Sequence, residues 1–136
     1  MQVYKKILVT MDCSPVDEAI VRHVTALAQQ NKAKVVLLHV VHSHTLDQDR
    51  TLRQQAEAAL TTHLENLKGQ GIDASFVLRS GEPENEILAE IEEKDYDLVA
   101  MATHGHNFIG DLLFGSVSRT LKHKISIPLL LIKAER

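Results

Sequence analysis

Val35-Val36-Leu37-Leu38-His39-Val40-Val41 is β-branched and almost unbroken in its hydrophobicity. A strand with one face in water alternates apolar and polar residues. A continuous run means burial on both faces, the habit of parallel strands covered by helices. The same kind of run recurs to either side. Ile7-Leu8-Val9 ends at Thr10-Met11-Asp12, and Ser75-Phe76-Val77-Leu78 is shorter. Leu98-Val99-Ala100-Met101-Ala102 is continuous again, and Leu129-Leu130-Leu131-Ile132 follows near the end of the sequence.

Between these runs the period becomes helical. Val16, Ala19-Ile20, Val24 and Leu27-Ala28 form a stripe after Ser14-Pro15, a good helix start. Leu52, Ala56, Leu60, Leu64 and Leu67 form a second, stopped by Gly69 and Gly71. Pro83 opens a third with Ile87-Leu88 and Ile91, and Val117 and Leu121 mark a fourth that ends before Pro128. The polar stretch from His42 to Arg50 reads as a mobile loop leading into the second helix. Strand and helix alternate throughout, which predicts an α/β fold. It is an open parallel sheet with right-handed crossovers and helices on both faces, in one domain over residues 1–136.

Composition narrows the function classes. At 136 residues, 44% hydrophobic and 24% charged, the chain has enough apolar material for a core, which excludes wholesale disorder. The net charge of −3 leaves no basic field for a nucleic-acid backbone, and 4% aromatics with no Trp leave no stacking platform. The single Cys13 excludes an internal disulfide and fits a reducing compartment. The apolar runs are far shorter than the ~18 residues of a spanning helix, and Ile7-Leu8-Val9 is too short for a signal-peptide core. The expected location is the cytoplasm, without membrane insertion.

In such sheets ligands bind beyond the carboxyl ends of the strands, where the strand order reverses. The loop after the fourth run is the most informative. It passes through Ala102-Thr103-His104-Gly105-His106, and Gly115-Ser116 then opens a helix. Glycines let backbone amides approach an anion, and a helix N-terminus presents unpaired N–H groups. Ser116 can donate to a phosphate oxygen or simply cap the helix. Spacing of this generality alone favours the plain turn and cap, because neither a P-loop nor G-x-G-x-x-G is present.

Taken end to end, the chain resembles the universal stress protein family. The family signature is G-x-x-G, nine residues, then G-Ser/Thr. Here Ala102-Thr103-His104-Gly105 is followed after nine residues by Gly115-Ser116. Ile7-Leu8-Val9 leading to Asp12 and Ser14, Leu38-His39-Val40-Val41, Gly81-Glu82-Pro83 and Ile127-Pro128-Leu129-Leu130-Leu131-Ile132 match as well. The resemblance implies a five-stranded sheet in the order 3-2-1-4-5. It also implies an adenine-nucleotide ligand, ATP or else ADP or AMP, since the spaced glycines mark the members that bind ATP. Carried over by position, Asp12 faces the adenosine and Val40 offers its backbone to adenine. Ala102 and Gly105 lie along ribose and phosphate, and Gly115, Ser116 and Val117 cradle the phosphates. A homodimer through the C-terminal strand is implied too; that strand is an apolar edge in this order, and bare edges template pairing.

Two positions depart from the family pattern. Ala102 replaces the first glycine, and His106 stands where Arg or Lys is common. No Lys or Arg occurs between Lys94 and Arg119, so the expected phosphate pocket relies on backbone amides, Ser116 and the imidazoles of His104 and His106. Asp111 would either repel phosphate or hold a magnesium ion.

Other chemistries are weaker. His39, His42 and His44 cluster in sequence, but His39 and His42 differ in strand parity, so no metal site is expected. A nearby helix start would lower the Cys13 pKa and the Asp12 carboxylate would raise it. Ser-Gly-Gly-x-Asp-Ser and His-x-Gly-His, motifs of related ATP-using enzymes, are absent. The expected role is a small regulatory nucleotide-binding protein of the stress response, with at most slow ATP hydrolysis. The alternatives are a nucleotide-dependent enzyme, or a member that has lost its nucleotide and acts through protein contacts.

Overall fold

Lys6–Thr10 (β1), Lys34–Val41 (β2), Ala74–Ser80 (β3), Leu98–His104 (β4) and Leu129–Ala134 (β5) form one sheet. The computed structural model describes residues 3–104 and 111–134, with side chains for 3–103 and 117–133. The strand order is β3-β2-β1-β4-β5, and every adjacent pair is parallel, as expected. Asp17–Asn31 (α1), Leu46–Gly69 (α2), Pro83–Glu93 (α3) and Asp111–Lys124 (α4) make the connections.

Burial on both faces is what the unbroken apolar runs demand. Ile7, Leu8 and Val9 of β1 are all fully buried. Ile7 and Val9 pack with Ile20 and Val24 of α1 and Leu60 and Leu67 of α2. Leu8 points the other way, to Ile87 of α3 and Val117 and Leu121 of α4. Each face of the sheet therefore has its own helix pair.

Two boundaries differ from the sequence expectation. The stretch from His42 to Arg50 is not all loop, because α2 begins at Leu46. Thr45 Oγ1 accepts from the Gln48 N–H at 3.0 Å, and Gln48 Oε1 accepts from the His44 N–H at 2.7 Å. This is close to the reciprocal pattern of a capping box, and Asp47 and Asp49 in the first turn suit the helix dipole. Asp49 also accepts from Ser80 Oγ at 2.9 Å, pinning the start of α2 to the end of β3. The second difference is α4, which begins at Asp111 rather than at Gly115-Ser116. Leu112 and Leu113 are strong helix formers, and an aspartate is favourable at the first position.

After β3 the chain turns at Gly81, whose φ of +141° disfavours any side chain, and Pro83 then starts α3. Charge holds α3 to β3. Arg79 donates to Glu86 and Glu90 at 2.9 Å each and to Glu93 at 3.2 Å. Glu90 is fully buried and also accepts from Tyr96 Oη at 2.6 Å and pairs with Lys94 at 3.0 Å. Burial alone would raise the Glu90 pKa; the donors from Tyr96, Lys94 and Arg79 outweigh it and hold it below the ordinary value. A buried carboxylate is tolerable only with such full pairing.

Candidate functional site

β1 has β2 on one side and β4 on the other, so the chain reverses its direction of travel across the sheet at β1. The crevice beyond Thr10 is the switch point where such sheets bind ligands. A slot opens there on the α3–α4 face. Thr10, Leu38 and Val40 line it from the sheet, Pro83 and Ile87 from α3, and Val117 from α4. Its walls are almost wholly apolar, which suits a flat ring system.

Polar groups enter the slot from two strands. The Leu38 carbonyl accepts from the Met11 N–H at 2.7 Å on the β1 side, and the Val41 carbonyl accepts from the Gly81 N–H at 3.0 Å on the β3 side. Peptide groups alternate in direction along a strand. The Val40 N–H and C=O therefore face the β1 side, past the residue at which β1 ends. From β1 comes Thr10, which is 3% exposed. Its Oγ1 is, among the described residues, the one buried side-chain oxygen or nitrogen with no hydrogen-bond partner.

The floor of the crevice is the turn between β1 and α1. Asp17, at the first position of α1, is buried and accepts from the Asp12 N–H at 2.8 Å and the Cys13 N–H at 2.7 Å. Cys13 adopts a left-handed φ of 62°, and Asp12 accepts from Ser14 Oγ. Burial raises the Asp17 carboxyl above its ordinary value, although the two N–H donors pull it back. His39 Nδ1 lies 2.8 Å from the Met11 carbonyl oxygen and ties β2 to the same turn. Burial, then Asp17, then Asp12, push the Cys13 thiol up to about 12. Such a thiol is a poor nucleophile at neutral pH, so the raising influences outweigh the helix start.

Of the residues that the sequence singles out, Asp12, Val40 and Val117 meet in the slot. Ala102 is buried, but its methyl packs on the opposite, α1 side of the sheet, so it does not crowd the slot. Gly105 and His106 lie outside the described residues, as do the side chains of His104, Asp111 and Ser116. Gly115 and Ser116 fall inside α4 rather than at its first residue. His39 and His42 both line the slot but bond differently: His39 Nδ1 lies against the Met11 carbonyl oxygen, whereas His42 Nδ1 reaches the Gly81 carbonyl at 3.3 Å. Sequence reasoning missed Asp17 and Thr10. A second aspartate five residues after Asp12 is a visible signal for the first; nothing in the sequence marks Thr10 as buried.

Comparison with known proteins is uniform. The pattern of the Universal stress protein family matches residues 3–133. A universal stress protein of Methanocaldococcus jannaschii is 25% identical, with 96% of this chain and 95% of that protein covered. One from Methanothermobacter thermautotrophicus is 29% identical, with 98% of each covered. Among solved structures, a universal stress protein from Archaeoglobus fulgidus in complex with dAMP superposes with a TM-score of 0.74 at 23% identity, covering 97% of this chain and all of that one. A universal stress protein in complex with cAMP gives 0.73 at 19% identity, covering 96% and 98%. Fold, strand order and a family match over nearly the whole sequence agree: the chain belongs to the universal stress protein family.

Proposed function

We propose that this chain binds an adenine nucleotide, ATP foremost, and serves as a regulatory protein of the stress response in the cytoplasm. The observation that carries this reading is the apolar slot at the switch point, with the Val40 peptide groups turned toward it. Val40 and Thr10 offer hydrogen bonds to a ring edge, and Leu38, Ile87 and Val117 offer apolar walls to its faces. Asp12 stands at the mouth for the ribose. Gly105, Gly115 and Ser116 supply the phosphate cradle, and His106 the nearby imidazole. That relatives of the same fold are described with cAMP and dAMP supports an adenine ligand. A magnesium ion would accompany the triphosphate, with Asp111 the carboxylate nearest the expected phosphates in sequence. The sequence holds no Lys or Arg between Lys94 and Arg119 to bind the phosphates, so the proposal includes at most slow hydrolysis. Calorimetry with ATP, ADP and AMP on the wild type is expected to give saturable binding. No heat up to millimolar nucleotide would overturn the reading.

A homodimer through β5 forms part of the proposal. β5 is an edge, and Leu131 on it is 48% exposed. The Pro128 carbonyl accepts from the Val99 N–H at 3.1 Å, so alternation turns the Leu131 N–H away from β4. Pairing with a second β5 would satisfy that donor and cover the leucine. A Leu131→Pro variant removes an outward donor without touching the inward ladder. Light scattering is expected to show wild-type dimers and variant monomers; a monomeric wild type, or an unchanged dimer in the variant, counts against this interface.

A further inference from the structure

Every buried side-chain oxygen and nitrogen among the described residues has a partner except Thr10 Oγ1. Leaving a hydroxyl in that state costs stability, and valine has the same shape without the cost. The free protein gains nothing from the hydroxyl that is visible in its own contacts. Its position explains what else it could serve. Thr10 shares a strand face with Leu8, which packs on the α3–α4 side, and that is the side of the slot. The neighbouring slot walls, Leu38, Ile87 and Val117, carry no polar side-chain atoms. The hydroxyl has almost no accessible surface as it stands, but no hydrogen bond holds its rotamer, so a turn about Cα–Cβ brings it to the slot that Thr10 lines, where a ligand can reach it.

We infer that Thr10 is a specificity-determining contact to the base, its hydroxyl exchanging a hydrogen bond with the polar edge of the purine in the slot. The inference rests on the adenine-nucleotide reading and deepens it. A purine edge alternates ring-nitrogen acceptors with an amino donor, and a hydroxyl serves as either partner. Together with the Val40 peptide it reads the ring from two strands, and a base unable to pair there leaves the hydroxyl buried and unmet. Occupation of the slot thus satisfies a group that the free fold leaves orphaned.

Two variants test this, with calorimetry against ATP and AMP and thermal melts of the nucleotide-free proteins. Thr10→Val is expected to weaken both ligands by the same factor, about tenfold, because the lost contact is to the part they share. Without nucleotide it is expected to melt about 3–5 °C higher, since the orphan is gone. Thr10→Ser keeps the hydroxyl and should stay within about threefold of wild-type affinity. The inference is overturned if Thr10→Val binds ATP like wild type, if only ATP and not AMP is weakened, or if Thr10→Ser loses as much as Thr10→Val. A Thr10→Val protein that melts lower overturns it too, by placing the partner inside the protein. Wild type that binds neither nucleotide brings down the nucleotide reading and this contact together. Wild type that binds while Thr10→Val is unaffected brings down this contact alone.

Discussion

A Gly115→Leu variant is expected to lose adenine-nucleotide affinity by about a hundredfold, near 2.7 kcal/mol, while remaining folded. On the proposed reading, Gly115 lets phosphate oxygens approach the backbone where any side chain would stand in the way. Position 115 lies within α4, and leucine there gains roughly 0.8 kcal/mol of helix propensity over glycine. Binding and stability should therefore move in opposite directions. Calorimetry and a thermal melt on the same preparation separate them. Unchanged affinity would put the phosphates elsewhere; a lower melting temperature would mean that Gly115 serves the fold.

Asp17→Ala is expected to cost about 2–3 kcal/mol of stability and to weaken nucleotide binding about tenfold. The carboxylate accepts two backbone N–H bonds, and alanine leaves both donors unmet in a half-buried turn. Asp12, at the mouth of the slot, sits on that turn, so its loosening reaches the ligand. Asp17→Asn keeps the shape but has one oxygen for two donors, and should lose about half as much. The pH dependence has a definite sign. Asp17 has its folded pKa above the ordinary 3.8, so the folded state holds its proton more tightly than the unfolded chain does. Its contribution is most favourable below 3.8 and declines as pH rises through the folded value. The stability advantage of wild type over Asp17→Asn should therefore be widest in acid and narrow toward neutrality. Chemical denaturation across that range measures it, and a gap that widens upward would contradict the assignment.

Most of the fold was legible because burial on both faces leaves a direct mark in sequence. Val35 to Val41 and Leu98 to Ala102 could hardly be anything but central strands. The strand order came from the family resemblance, and hydropathy alone does not encode it. The start of α2 is hidden in the sequence because a run of polar residues outweighs a two-residue signal, Thr45 and Gln48, that acts through hydrogen bonds and not through hydrophobicity. Asp12, Val40 and Val117 were found by position in a known pattern. Thr10 is not marked by that pattern, because the residues that line the slot with it, Pro83, Ile87 and Val117, lie far along the chain and only the folded packing brings them near. Asp17 occupies a first-turn position, where acidic residues usually face water; its burial too is a tertiary fact.

The central place of β1 sets the order in which the molecule can be assembled. Its pairing with β2 closes across a single helix and can form while most of the chain is still being synthesised. Its other edge must wait: Lys6 meets Asp97, 91 residues further on, through a bond from its backbone N–H at 3.0 Å. Loop-closure entropy delays such distant contacts. The seam between β1 and β4 is thus the last to be sewn in the middle of the sheet, and the ligand crevice opens at the end of that seam. On a nascent chain the crevice is complete only once α4, the fourth crossover, has emerged with Val117, so on the proposed reading ligand capture would report completed folding.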